Sequence, residues 1–156
     1  MKKSSLVLLG IVLIIALFFY QRYYIAPSLT LEHIKVTRLN YTPFLLENNK
    51  PTIVSFYATW CPPCQQEIQW LNEAYIKYGD QYQIIVVSDE DINKLLPKQK
   101  VYEVPILKLK ESRNNLGVHS IPTTYAFDQS GNLLYKHVGV LDLRELTSIQ
   151  KLFEDE

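Results

Sequence analysis

Apolar and polar positions along this chain fall into three patterns. There is one long uncharged run, several short β-branched or aromatic runs, and stretches with apolar residues at helical spacing. The long run is Ser4 to Tyr20, preceded by Met1-Lys2-Lys3. A spanning helix needs about 20 apolar residues, with a lower limit near ~17, so residues 1–25 are expected to form an N-terminal signal anchor. Tyr20, Tyr23 and Tyr24 suit the far interface, and Arg22 can reach water. Lys2 and Lys3 place the N-terminus in the cytoplasm. The rival is a cleaved signal peptide, but Leu17-Phe18-Phe19 and Tyr24-Ile25-Ala26 lack the small residues that cleavage wants. No cysteine stands directly after the run, which excludes lipoprotein processing. The expected location is a single-pass protein of the cytoplasmic membrane, its domain facing a periplasm or equivalent extracytoplasmic space.

Residues 26–49 read as a linker with an N-terminal edge strand, Leu31 to Leu39, and residues 50–156 as one domain. Within the domain, the β-branched and aromatic run from Pro51 to Thr59 predicts a buried strand. Ile68, Leu71, Tyr75 and Tyr78 then repeat at helical spacing until Gly79-Asp80 breaks the pattern. Gln83–Ser88 is nearly continuous in apolar residues, as suits a parallel strand covered on both faces. Asp89-Glu90-Asp91 opens a short helix from Ile92 to Gln99, although an edge of a partner-binding surface is the alternative. Val104–Leu107 is extended, and Glu111–Leu116 is a helical turn. Thr123–Phe127 and Leu133–Val138 are strands joined by the turn Asp128-Gln129-Ser130-Gly131. Asp142-Leu143-Arg144-Glu145 starts a last helix whose apolar face is Leu143, Leu146, Ile149 and Phe153. The order implies an α/β fold, a mixed central sheet flanked by helices on both faces.

Composition narrows the function classes. Sixteen basic residues balance sixteen acidic ones, without a basic stripe, so no nucleic-acid partner is suggested. The chain has two cysteines, Cys61 and Cys64, in Trp60-Cys61-Pro62-Pro63-Cys64. The motif lies between a strand and a helix, the context in which Cys-x-x-Cys carries redox chemistry. A helix N-terminus offers unpaired N–H groups and partial positive charge, both favourable to a thiolate. Cys61 is therefore the expected nucleophile, and Cys64, one turn on, resolves the mixed disulfide. Pro63 suits a first helical turn, and Pro62 stiffens the loop before it. A zinc site needs two further ligands, and His33, His119 and His137 stand at no ligand spacing to one another. No metal and no bound cofactor is expected. A structural disulfide across so short a loop would stabilise little.

From Thr52 to about Phe153 the chain resembles thioredoxin-fold thiol–disulfide oxidoreductases, and among them the membrane-anchored ResA/TlpA type. The residues that carry this are Phe56–Cys64, Ile121-Pro122-Thr123-Thr124 and Asp128–Asn132. The resemblance implies that Pro122 is the cis-proline facing the dithiol, and that the Ile121–Pro122 backbone, with Trp60, Pro62 and Pro63, contacts the client. It also implies that Glu67 lies near the dithiol and helps move its proton. Many thioredoxins carry a buried aspartate six residues before the first cysteine; here that position is Ser55. Such proteins act on oxidised protein thiol clients, apocytochrome c among them, and draw on a transmembrane electron donor. A fuller N-terminal hairpin of relatives is expected to be abbreviated here. His119 is a further candidate neighbour of the dithiol, and His137 reads as a structural strand residue. Two alternatives remain open on sequence: an oxidant that forms disulfides, and a dithiol module that binds a client or a soft metal such as Cu(I) without turnover.

Overall fold

The two strands with the least polar alternation lie at the centre of the sheet. The computed structural model describes residues 10–17, 29–47 and 49–154. Six strands form one sheet: β1 (Val36–Thr37), β2 (Thr52–Phe56), β3 (Gln83–Ser88), β4 (Ile106–Leu109), β5 (Thr123–Phe127) and β6 (Leu133–Val138). Their order is β1-β4-β3-β2-β5-β6. The β2–β3 and β3–β4 pairs are parallel, and the other three are antiparallel. Every residue of β2, β3 and β5 is buried, as a strand covered on both faces requires.

The alternation of side chains divides the core in two. Ile53, Ile84, Val86, Ile106 and Ala126 point towards α1 (Pro62–Tyr78), α2 (Ile92–Gln99) and α3 (Leu143–Glu154). There they meet Ile68, Leu71, Leu95, Leu146 and Ile149. Val54, Phe56, Ile85, Val87, Tyr125 and Phe127 point the other way, towards Leu31, Ile34 and Val36 of the N-terminal segment. Among the described residues the α-helices of the domain thus pack on one face of the sheet and not on both as expected, because Ile92 and Leu95 join Ile68, Leu71, Leu146 and Ile149 in one cluster. Short 3-10 turns, Leu31–His33 and Arg113–Leu116, accompany the other face.

The expected edge strand from Leu31 to Leu39 contracts to Val36–Thr37, although it does lie at the sheet edge, against β4. Thr30 and His33 close a reciprocal cap that turns residues 31–33 into a 3-10 helix. Local side-chain bonding there wins over strand alternation. The start of α3 does follow its capping box. Asp142 Oδ1 accepts from the Glu145 amide at 2.9 Å, and Glu145 Oε2 accepts from the Asp142 amide at 2.8 Å. Leu146 and Ile149 are buried as expected, while the Leu143 side chain lies outside the described set. Residues 10–17 are helical, with Ile11 to Ile15 and Leu17 exposed. Among the described residues no helix is long and apolar enough to cross a membrane. The rest of the Ser4–Tyr20 run lies outside the described residues.

Candidate active site

Strand β2 ends at Phe56, and the chain turns through Tyr57–Trp60 into α1. Cys61 is the N-cap of that helix, and Pro62 and Pro63 fill its first two positions. Pro62 therefore belongs to the helix rather than to the loop before it. Two prolines are tolerated there because the first-turn N–H groups have no intrahelical partner. Cys61 and Cys64 are joined by a disulfide, with an S–S distance of 2.08 Å. The Cys64 amide donates to Cys61 Sγ at 3.2 Å. A thiolate on Cys61 would accept the same N–H, with the helix dipole behind it. Both cysteines are buried, whereas Trp60, Pro62 and Pro63 are exposed; Trp60 is 63% exposed. Trp60 therefore leaves most of its side chain open to solvent.

The Ile121–Pro122 peptide is cis. Pro122 is buried and Ile121 half-buried, packed against both core clusters. The Gly139 amide donates to the Pro122 carbonyl at 2.9 Å, and Thr123 Oγ1 donates to the Ser120 carbonyl at 2.8 Å, which holds this loop from both sides. Gly139 has φ +114°, a conformation that favours glycine.

Glu67 follows Cys64 by three residues, so the two share a helix face about 5–6 Å apart at Cβ. It is 1% exposed. Its carboxylate meets a polar row that crosses three strands. Ser55 of β2 pairs with Thr124 of β5, and Thr124 pairs with His137 of β6. Paired residues share a sheet face, here the face towards α1. Ser55 Oγ donates to Glu67 Oε2 at 3.1 Å, and Thr124 Oγ1 donates to Oε1 at 3.0 Å. The Leu141 amide donates to Oε1 at 3.2 Å. Burial pushes the Glu67 carboxyl above the ordinary carboxylate range, against the opposing pull of the three hydrogen bonds and of His137. The two oxygens differ in kind. Oε1 faces two donors, one of them a backbone N–H that can only donate. Oε2 faces one hydroxyl, which can reverse from donor to acceptor. A proton arriving on Glu67 is therefore best accommodated on Oε2, bonded to Ser55.

The loop before Cys61 is clamped by two other side chains. Glu90 accepts from both the amide and the hydroxyl of Thr59, the latter at 2.9 Å. Gln65 Nε2 reaches the Tyr57 hydroxyl at 2.7 Å and the Thr59 carbonyl at 2.8 Å, and Lys98 Nζ bonds Gln65 Oε1 at 3.0 Å. Burial raises the Tyr57 hydroxyl to about 12, so it keeps its proton. The acidic triplet thus divides its work. Asp91 caps α2, as its position before Ile92 implies. Glu90 holds the dithiol loop, and Asp89 pairs with Arg113 at 2.6 Å.

Comparison with known proteins shows the family. The family model described as thioredoxin matches residues 32–151. This chain belongs to the thioredoxin family. Thioredoxin-like protein YneN of Bacillus subtilis is 30% identical over 104 residues, which cover 62% of this chain and 61% of that protein. Thiol-disulfide oxidoreductase ResA of Bacillus thuringiensis is 29% identical over 96 residues, 58% of this chain and 56% of the relative. The matches thus span under two thirds of either relative. Among solved structures, the exposed lipoprotein thioredoxin Etrx1 of Streptococcus pneumoniae aligns with TM-score 0.65 at 22% identity, covering 75% of this chain and 97% of that one. StoA of Bacillus subtilis aligns with TM-score 0.60 at 19% identity, covering 74% and 94%. At these identities the structural likeness speaks to the fold alone.

Within this thioredoxin-family domain the structure brings Cys61, Cys64 and Glu67 together on α1, and places the cis-Pro122 loop on the neighbouring strand β5. His119 is exposed and lines an open groove of about 210 Å³ with Tyr125 and Lys136, on the sheet face away from α1. Among the described residues no cluster of three or more His, Cys, Asp or Glu is arranged to hold a metal. Glu90, Gln65 and Thr124 were not singled out as site residues from sequence. Thr124 stands within the Ile121–Thr124 motif, but its partner across the sheet is set by register.

Proposed function

We propose that this protein is a membrane-tethered, extracytoplasmic thiol–disulfide oxidoreductase that reduces disulfides in protein clients. In the first step the Cys61 thiolate attacks one sulfur of the client disulfide. The client S–S bond breaks, and one client sulfur leaves as a thiolate that takes up a proton. In the second step Cys64 gives its proton to the Glu67 carboxylate and attacks Cys61 Sγ. The bond from Cys61 to the client breaks, the second client sulfur leaves, and the Cys61–Cys64 disulfide remains. Two electrons pass from the dithiol to the client, and an electron donor must return them.

The observation that carries the reducing direction is Glu67, buried one turn beyond Cys64. The strong oxidant of the periplasm owes its potential to a stabilised reduced form. A carboxylate packed on the same helix face opposes a second negative charge on sulfur, which favours donation of electrons. The amide hydrogen bond to Cys61 Sγ works the other way and is the observation that favours an oxidant. The name of the ResA relatives supports thiol–disulfide exchange, and cytochrome c maturation is the client setting that goes with the resemblance. Tethering rests on the uncharged run Ser4 to Tyr20 and on the exposed apolar side chains of residues 11–15 and 17, which need a cover.

Two variants test the reaction. Cys61→Ser should abolish disulfide reduction in an insulin turbidity assay. Cys64→Ser should accumulate mixed disulfides with clients in cells; trapping by Cys61→Ser instead would reverse the assigned order of attack.

A further inference from the structure

The polar row under α1 does not end at Thr124. His137 is its next member across the β5–β6 pair, on the same sheet face as Thr124. Its Nδ1 lies 2.8 Å from Glu145 Oε1 on α3. The other oxygen of Glu145 accepts the Asp142 amide, which closes the α3 cap. His137 Nε2 faces the turn at Gly139, where an added Cβ would lie 3.7 Å from it. Between these anchors runs a four-residue strap, 139–142. Gly139 bonds the Pro122 carbonyl, Leu141 bonds Glu67 Oε1, and Asp142 bonds Glu145.

We propose that His137 and Glu145 form a positioning pair for Glu67. The pair fixes the strap that delivers the Leu141 amide to the buried carboxyl. It also sets the imidazole on the sheet face that Glu67 packs against, where it favours the carboxylate over the acid. The groups facing Glu67 are Cys64 from its own helix, Ser55 from β2, Thr124 from β5, His137 from β6 and the Leu141 amide from the strap. Facing His137 are Glu67 and Glu145; Asp142 turns its carboxylate to Arg144. The strap also contacts the cis-proline loop, so the pair links the client-contacting backbone to the acid beside the dithiol. The inference rests on Glu67 serving the dithiol, as proposed above.

The test follows the Glu67 carboxyl directly, by carbon NMR of the full-length protein labelled at glutamate side chains, across a pH titration. His137→Asn keeps an amide near the Nδ1 position and removes the ionisable ring; Glu145→Gln keeps a hydrogen-bonding group and removes the carboxylate. The expected result is an upward shift of the Glu67 midpoint in both variants. The pH profile of thiol alkylation of the reduced protein should shift in His137→Asn, and that shift should vanish in the Glu67→Gln background. An unmoved Glu67 midpoint in both variants overturns the inference, as does a His137→Asn effect on alkylation that persists without Glu67. An alkylation profile that is the same in wild type and Glu67→Gln would instead refute the proton role of Glu67, whatever the carboxyl titration shows.

Discussion

At the scale of single residues, Glu67 is the group on which the chemistry and the stability of this domain meet. It is an acid whose folded value is raised by burial. Its stabilising contribution is therefore complete below the ordinary carboxylate pKa and is lost as pH rises through the raised folded value. Glu67→Gln removes that loss. Glutamine also fits the site, since its carbonyl can accept from Thr124 and Leu141 while its amide donates to Ser55. The oxidised variant should gain stability relative to wild type as pH rises from the ordinary carboxylate range through the raised folded value, read by urea unfolding at fixed temperature. A difference that is flat with pH would mean that Glu67 is not perturbed. Ser55 explains why the carboxylate is needed from the helix. The strand position that holds an aspartate in many thioredoxins carries a hydroxyl here, and this hydroxyl serves as partner to an acid supplied by α1.

At the scale of elements, two devices set the dithiol. One is the helix–sheet interface, where Ile149 of α3 is fully buried. Ile149→Ala should cost about 2–5 kcal/mol in urea unfolding. The other is the Glu90 clamp on Thr59. Glu90→Ala leaves the Thr59 amide without its acceptor, at a cost of about 1–3 kcal/mol. Hydrogen exchange at Thr59 should speed up more than at Ile53 in the strand centre; equal acceleration would mean that the clamp has no local effect. Elements were legible in the sequence where the pattern was local. Ile92–Gln99, Thr123–Phe127 and Leu133–Val138 fall where apolar spacing and turn residues place them. Leu31–His33 was not legible, because a Thr30–His33 side-chain cap competes with strand alternation there. The Ser55–Thr124–His137 row was beyond reach for a different reason. Its members are far apart in sequence and meet only through strand register, which alternation alone does not define across three strands.

At the scale of the whole molecule, the redox domain follows an uncharged apolar segment, Ser4 to Tyr20. If the segment anchors the chain, full-length protein should stay with membranes through alkaline carbonate extraction, and added protease should reach the domain once the outer barrier is opened. Release by carbonate would show that the segment is no tether. Cys61, Cys64 and Pro122 could be picked out from sequence because the family motif marks them, whereas the direction of electron flow depends on charges that only the fold assembles. The redox potential of the Cys61–Cys64 pair, equilibrated against glutathione or dithiothreitol at pH 7, decides the direction of electron flow. A reductase should show a value near or below about −250 mV, towards that of thioredoxin. A value near about −120 mV, that of the strong periplasmic oxidant, would contradict the reducing direction and make the protein a source of disulfides.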